Sequence, residues 1–387
     1  MTVRIAAFNV ENLFDRAKAL NADTPGAHQA VLDAHAELNR LFEQATYDAR
    51  TKRRMLALMA ALELRPPRYA GPFALIRRIR GKLVHTPRGG EPEIVAGGRS
   101  DWVGWCELVT EAVDEIAMLN TARVIRDVGA DILAVVEAES RPVLRRFHDL
   151  LLPKLGVAPA QGYRHIMLID GNDERGIDVG LATREGFPIG LMRSNVDLRA
   201  PSGEPVFSRD CPEYVVTTPS GERIVVLPNH FKSKFAPGKD GQRRANDKRR
   251  LQAQTVADIY RRLRQEGHEN VVVCGDLNDT PESDPLAPLL RDTDLKDVSE
   301  HKAFTEFEYR ARTGGRGIGT YGNGRDDEKI DYILLSPALF ARVTKGGIFR
   351  KGAWPGKKPR RWEVYPELTA PVHAASDHHA IWVDLDL

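Results

Sequence analysis

Residues 271–279 read VVVCGDLND, three valines and a cysteine running into Gly275, Asp276, Leu277, Asn278 and Asp279, with Thr280-Pro281 following. A short apolar run closed by turn residues predicts a buried strand. It delivers an acid and an amide, two residues apart, at its carboxyl end. In extended backbone alternate side chains share a face, so Asp276 and Asn278 are expected to point one way and Leu277 toward the core. A carboxylate that holds or deprotonates a water, beside an amide that donates to a phosphate oxygen, suits a phosphate ester. The competing reading is a strand that merely ends in an Asx turn.

The flanking sequence repeats the pattern. Residues 247–267 predict a helix, with Leu251, Thr255, Ile259 and Leu263 on one face, leading into the valine run. Before it, 213–218 and 223–227 are expected to pair as a hairpin across Pro219-Ser220-Gly221-Glu222, and the second strand ends in Pro228-Asn229-His230-Phe231-Lys232-Ser233-Lys234. Downstream, 329–336 predicts a strand with Asp331 near its start. Ala375-Ser376-Asp377-His378-His379-Ala380 then opens into an alternating last strand, 381–387.

The amino-terminal part carries two more such ends. Residues 3–8 (VRIAAF) open into Asn9-Val10-Glu11, and 131–139 (DILAVVEAE) predicts a buried strand ending at Glu137. An acid there is costly unless paired or metal-bound, which separates Glu137 from ordinary surface glutamates. Residues 108–128 read as a long helix closed by Gly129. Residues 164–169, 178–183 and 187–191 read as strands, with Asp173-Glu174-Arg175-Gly176 as a connecting loop. Between about 17 and 105 the character differs: leucines and methionines recur at helical spacing, a hairpin is expected at 83–95, and Arg77, Arg78, Arg80 and Lys82 form a basic run. Such runs usually mean a solvated face.

Composition bounds the function. A net charge of 56 − 54 = +2 excludes general attraction to polyanions, so any electropositive surface must be local. Cys106, Cys211 and Cys274 match no metal-ligand spacing and no disulfide framework, which favours a reducing compartment. No basic-then-apolar leader and no membrane-length apolar run is read, so a cytoplasmic protein without membrane association is expected. No segment marks an obligate protein partner.

The pieces FNVENLF, DILAVVE, GIDVGLATR, NHFKS, GDLND, KIDYILLS and SDHHA, in this order across residues 8–380, resemble the endonuclease/exonuclease/phosphatase superfamily. The resemblance implies an α/β fold, a four-layer α/β/β/α sandwich of two mainly antiparallel sheets with outer helices. Because motifs at both ends must then meet, it also implies one catalytic domain over 1–387 with a mainly helical insertion at about 17–105.

It further implies site roles. Glu137 would bind Mg²⁺, with Mn²⁺ a substitute, while Glu11 and Asp377 make secondary metal contacts and Asn9 supports them. Asp276 would orient or deprotonate the attacking water, and Asn278 would bind the scissile phosphate. His378 would be paired with Asp331, and His230 is similar to a candidate general acid of the deoxyribonuclease and sphingomyelinase branches. Asn229, Lys232, Arg175 and Asp178 are candidates for substrate binding. His379 is expected to leave the opposite face from His378, as an outer or exposed residue. The expected function is metal-dependent phosphodiester hydrolysis with nucleic acid as substrate. The alternatives are a phosphatase or phosphodiesterase on a small metabolite or lipid headgroup, and a non-catalytic scaffold. Basic stretches at 232–250 and 350–361, with Trp354 in the latter, are candidate tracks for a polyanion.

Overall fold

The valine run becomes a strand because both of its faces are covered. Val272 and Cys274 join a core between two sheets, whereas Val271, Val273 and Leu277 pack into a separate core beneath a long helix. A computed structural model describes residues 1–13, 29–109, 116–173, 176–234, 238–307, 309, 315–356 and 361–387. Chain contacts divide it into two compact units, Met1–Phe14 with Val113–Leu387, and Asp15–Ala112.

The first strand is β1 (Thr2–Leu13). The smaller unit follows with α1 (Gln29–Phe42), α2 (Ala49–Ala61), β2 (Ala74–Gly81), β3 (Val84–His85), β4 (Glu93–Ile94) and β5 (Trp102–Leu108). The larger unit resumes with α3 (Ile116–Val128), β6 (Ile132–Ala138), α4 (Arg141–Lys154), β7 (Tyr163–Leu168), β8 (Asp178–Arg184) and β9 (Ile189–Arg193). Then come β10 (Glu213–Thr217), β11 (Arg223–His230), α5 (Gly238–Gln265), β12 (Val271–Asp276), β13 (Lys296–Asp297) and β14 (Phe304–Glu306). The chain closes with β15 (Asp331–Leu335), β16 (Val343–Phe349) and β17 (Ala380–Asp386).

The larger unit has the expected four layers. One sheet runs β14-β16-β17-β1-β6-β8-β7 and the other β13-β15-β12-β11-β10-β9. Among the described residues only β14–β16, β1–β6 and β11–β12 are parallel pairs. Alternate residues of β1 show the layering: Val3, Ile5 and Ala7 face the other sheet, while Ala6, Phe8 and Val10 pack with α3 and α4. Ala253, Val256, Ala257 and Tyr260 of α5 cover the outer face of the second sheet. With every face buried, the central strands read as continuous apolar runs rather than alternating ones.

Several expectations change. Residue 108 ends strand β5 and does not start a helix; the described helix begins at Ile116. Helix α5 begins at Gly238, not at residue 247. Strand β16 (VTKGGIF) gave no apolar signal, since two glycines and a lysine interrupt it, and its pairing with β17 makes it a strand. In the smaller unit α1 and α2 share the fold with the β2–β5 and β3–β4 ribbons, around a core that includes Leu38, Phe42, Met55, Met59 and Trp102. The expected hairpin is there as Val84↔Ile94. No helix among the described residues is long and apolar enough to cross a membrane.

One glycine governs the approach of β11 to β12. Gly275 has φ +116°, and a Cβ on it would lie 2.2 Å from the Asn229 carbonyl oxygen. Gly275→Ala is therefore expected to lower the unfolding free energy by about 2 kcal/mol or more, combining backbone strain with a clash against main chain. Urea denaturation checks this, and an unchanged midpoint would contradict it.

Candidate active site

Strand register assembles the site. In the second sheet Asp276 lies between His230 on β11 and Asp331 on β15. In the first sheet β1 brings Asn9 opposite Val136, next to Glu137, and pairs with β17, which begins two residues after His378. The two sets of strand ends face one cleft of about 480 Å³, lined among others by Glu11, Glu137, His230, Asp276, Asp377 and His378.

Asp276 is buried, and its partners make that tolerable. Its Oδ1 accepts from the Asn278 backbone N–H at 2.8 Å. Its Oδ2 accepts from Asn278 Nδ2 at 3.0 Å and from Asn9 Nδ2 at 3.2 Å. The first of these bonds is an Asx turn, so the turn and the functional reading describe the same residues. Asn278 comes beside Asp276 because its backbone is left-handed (φ 55°), not because the strand continues. Its second amide donation goes to the Phe231 carbonyl at 3.2 Å. Both amide hydrogens are thus engaged, which changes the expectation that they meet a phosphate: Asn278 orients Asp276.

The same device recurs. The Glu11 N–H donates to Asn9 Oδ1 at 3.0 Å with φ 49° at Glu11, and the His378 N–H donates to Ser376 Oγ at 2.9 Å. Ser376 in turn donates to the Asn9 carbonyl at 2.8 Å, locking the β17 entry onto the β1 exit.

His378 Nδ1 is 2.8 Å from Asp331 Oδ2, the pairing expected from the sequence. Asp331 is fixed by its own N–H donating to Thr320 Oγ1 at 2.8 Å. Burial works to lower the imidazole pKa, but Asp331, Asp276 and Asp377 outweigh it and push it up to about 10. Burial first, and Asp331 second, raise the Asp276 carboxyl to about 7. His230 Nε2 lies 3.5 Å from Glu137 Oε1 and 3.6 Å from Asp276 Oδ2.

Two carboxylate groupings have metal-ligand chemistry. Asp276, Asp331 and His378 offer atoms within 4.8 Å of one another. That trio is already satisfied internally, by the His378–Asp331 pair and the amides on Asp276. Glu11, Glu137 and Asp377 are different. Among the described residues no lysine or arginine pairs with any of them, and the pKa of Glu11 is raised by burial, then by Asp377 and Glu137. A set of oxygen ligands repelling one another at a cleft fits a hard divalent cation.

The remaining expectations divide. Asn229 is sealed in the sheet, its Nδ2 donating to the Leu227 carbonyl at 2.9 Å, and it does not line the cleft. Lys232 is likewise absent from the lining, while Lys234 is present and pairs with Asp279 at 2.8 Å. Asp178 is buried at the start of β8, accepting from the Gly171 N–H at 2.8 Å, with burial pushing its pKa up to about 7. Arg175 lies outside the described residues. His379 leaves the face opposite His378, but it is buried edge-on against Trp362, ring centroids 4.9 Å apart, and not exposed. Tyr321, Asp327 and Glu328 line the cleft and were missed. Only Tyr321 left a signal, as the end of Gly319-Thr320-Tyr321 before the Asp331 strand; its ring meets His378 edge-on at 5.1 Å.

Acids, amides and imidazoles on converging strand ends define a phosphoester-hydrolase type of site. The sequence pattern of the Endonuclease/Exonuclease/phosphatase family matches residues 84–385, most of the chain, and the chain belongs to that family of phosphoester hydrolases. No curated protein matches it in sequence. Among solved structures it is similar to a mannosyl-6-phosphatase of Bacteroides thetaiotaomicron (16% identity, 70% of this chain and 91% of that one, TM-score 0.48). It is also similar to truncated Caenorhabditis elegans TDP2 (16%, 70% and 90%, TM-score 0.45) and the human Nocturnin catalytic domain with bound sulfate (15%, 70% and 86%, TM-score 0.47). Likenesses this remote say nothing about substrate.

The His378–Asp331 pair has a measurable signature. In metal-free protein the His378 ring is expected to titrate well above the ordinary value near 6.5, and Asp331→Asn to bring it down. The folded pKa exceeds the unfolded one, so the stability from this proton is complete below about pH 6.5 and lost as pH rises through about 10. NMR of the ring carbons checks both, and an unshifted variant would refute the pairing.

Proposed function

We propose that the protein hydrolyses phosphodiesters with a bound Mg²⁺, replaceable by Mn²⁺, and that its substrate is nucleic acid. The supporting observation is that Asp276, held by amides from both sheets, and His378, held by Asp331, share a cleft with Glu11, Glu137 and Asp377, none of which pairs with a lysine or arginine among the described residues. Glu137, Glu11 and Asp377 would hold the cation, which supplies charge neutralisation at phosphorus and at the leaving oxygen.

The chain's own groups do the rest. Asp276, raised toward neutrality, accepts a proton from the attacking water while its carboxylate is aimed by Asn9 and Asn278. The water oxygen bonds to phosphorus and the ester P–O bond breaks. His230 Nε2 gives its proton to the departing oxygen. His378, kept as imidazolium by Asp331, donates to a phosphate oxygen. The three thiols, all buried and unpaired, suit the reducing cytoplasm.

A small phosphoester is the second reading, and the cleft itself favours it. Asp327 and Glu328 line one wall, and the only lining lysine or arginine among the described residues, Lys234, is held by Asp279. Salt separates the two readings. Binding through several phosphates releases counterions, with a log–log slope of about −0.7 to −0.9 per contact, whereas a single phosphate gives about one or less in magnitude.

EDTA treatment is expected to abolish hydrolysis of bis(p-nitrophenyl) phosphate, and added Mg²⁺ or Mn²⁺ to restore it. Activity undiminished by chelation would refute the metal. Asp276→Asn, His378→Ala and Glu137→Gln should each reduce turnover by at least about 10²-fold, the low end for a positioned acid–base group. A folded His378→Ala protein with near wild-type turnover would remove that residue from the mechanism.

A further inference from the structure

We propose that the outward face of the β2–β5 ribbon in the smaller unit binds single-stranded nucleic acid, with Trp105 stacking on a base and Arg77 and Arg80 meeting phosphates. The choice of polyanion rests on the function proposed above; the surface itself stands on its own geometry.

Register places these side chains together. Arg77 pairs with Trp105, Arg80 with Val103 and Leu75 with Glu107, and residues directly opposite one another project from the same side of a ribbon. Trp102, Gly104 and Cys106 alternate with these positions and are buried, so Val103, Trp105 and Glu107 form the outward set. The strands shift register between Arg78 and Arg80, so Ile79 is the extra residue of a bulge and is 68% exposed.

The Trp105 indole is 44% exposed and lies between Arg77, directly opposite, and Arg80. Charge bookkeeping points the same way. Arg77 shares its charge with Glu107, but Arg80, exposed on the same face, has no carboxylate partner among the described residues; Arg78, opposite Gly104, belongs to the other face. Arg54, on α2 of the same unit, is held by Glu37. Exposed guanidinium groups around a flat aromatic surface make a stacking platform flanked by phosphate donors, which suits a strand whose bases are unpaired.

The test uses the full-length chain in EDTA, so that bound strand is not cut, with a fluorescein-labelled 20-nucleotide single strand and anisotropy at low and physiological salt. Trp105→Ala is expected to weaken binding by about tenfold or more, the lower range for loss of one stacked base. Arg77→Ala/Arg80→Ala should weaken it similarly and reduce the magnitude of the log–log salt slope by about 1.4, two single-strand phosphates. Arg54→Ala, on the same unit, should bind as wild type. With Mg²⁺ restored, the ribbon variants should leave hydrolysis of bis(p-nitrophenyl) phosphate unchanged. Wild-type affinity in both ribbon variants would overturn the proposal. So would binding to phosphatidylserine vesicles with none to the oligonucleotide. Ribbon-dependent binding without strand cleavage would leave this surface standing and count against the proposed function instead.

Discussion

A hydrogen bond from Asn9 to Asp276 crosses from one sheet to the other, and the site depends on it. Asp276 is a carboxylate with almost no solvent access, a situation that costs several kcal/mol unless the group is fully bonded. Asn278 satisfies it from its own strand end, and Asn9 from the opposite sheet. The sandwich therefore closes around a polar contact at one end of an otherwise apolar interface. Sliding one sheet against the other would strand a buried charge, so packing and site geometry constrain each other.

Three of the strand ends that feed the cleft carry a short turn. At Asn9–Glu11 and Asp276–Asn278 the side chain of the first residue takes the N–H of the second, and Ser376 does the same for His378. Glu11, Glu137 and Asn278 carry positive φ angles (49°, 68° and 55°), and they make up three of the five such non-glycine residues among the described ones. Non-glycine residues persist in that region where their surroundings over-determine them. Here the compensation is explicit for two of them, through the bonds to Asn9 and Asp276. The strain turns side chains out of the strand alternation and into the cleft.

The basic stretches illustrate how folding spends charge. In 232–250, Lys234 and Arg249 both close on Asp279, Arg243 pairs with Asp240, and Lys248 donates to the Pro205 carbonyl. In 350–361, Arg350 is buried against the Gly319 and Gly317 carbonyls, and Lys351 pairs with Glu363; residues 357–360 lie outside the description. Trp362, next to that run, is core. Cation count along the chain overstates the free positive surface, because partners such as Asp279 and the Pro205 and Gly319 carbonyls come from elsewhere in the fold.

The sequence by itself determined the strands whose two faces are buried and the polar residues at their ends. Valine runs and turn residues are local signals, and Asp276, Glu137, His230 and His378 could be named from them. It also determined the His378–Asp331 pairing through the family resemblance. Only the tertiary structure decided which groups remain free to act. Asn278 and Asn229 differ from surface amides because carbonyls of Phe231 and Leu227 claim them. His379 differs from an exposed histidine because Trp362 lies across it. Strand β16 exists because β17 offers it an edge, and the ribbon with Trp105 because β2 and β5 pair across an intervening hairpin. Burial and hydrogen-bond partnership are properties of what arrives from distant residues, and no window of local sequence contains them.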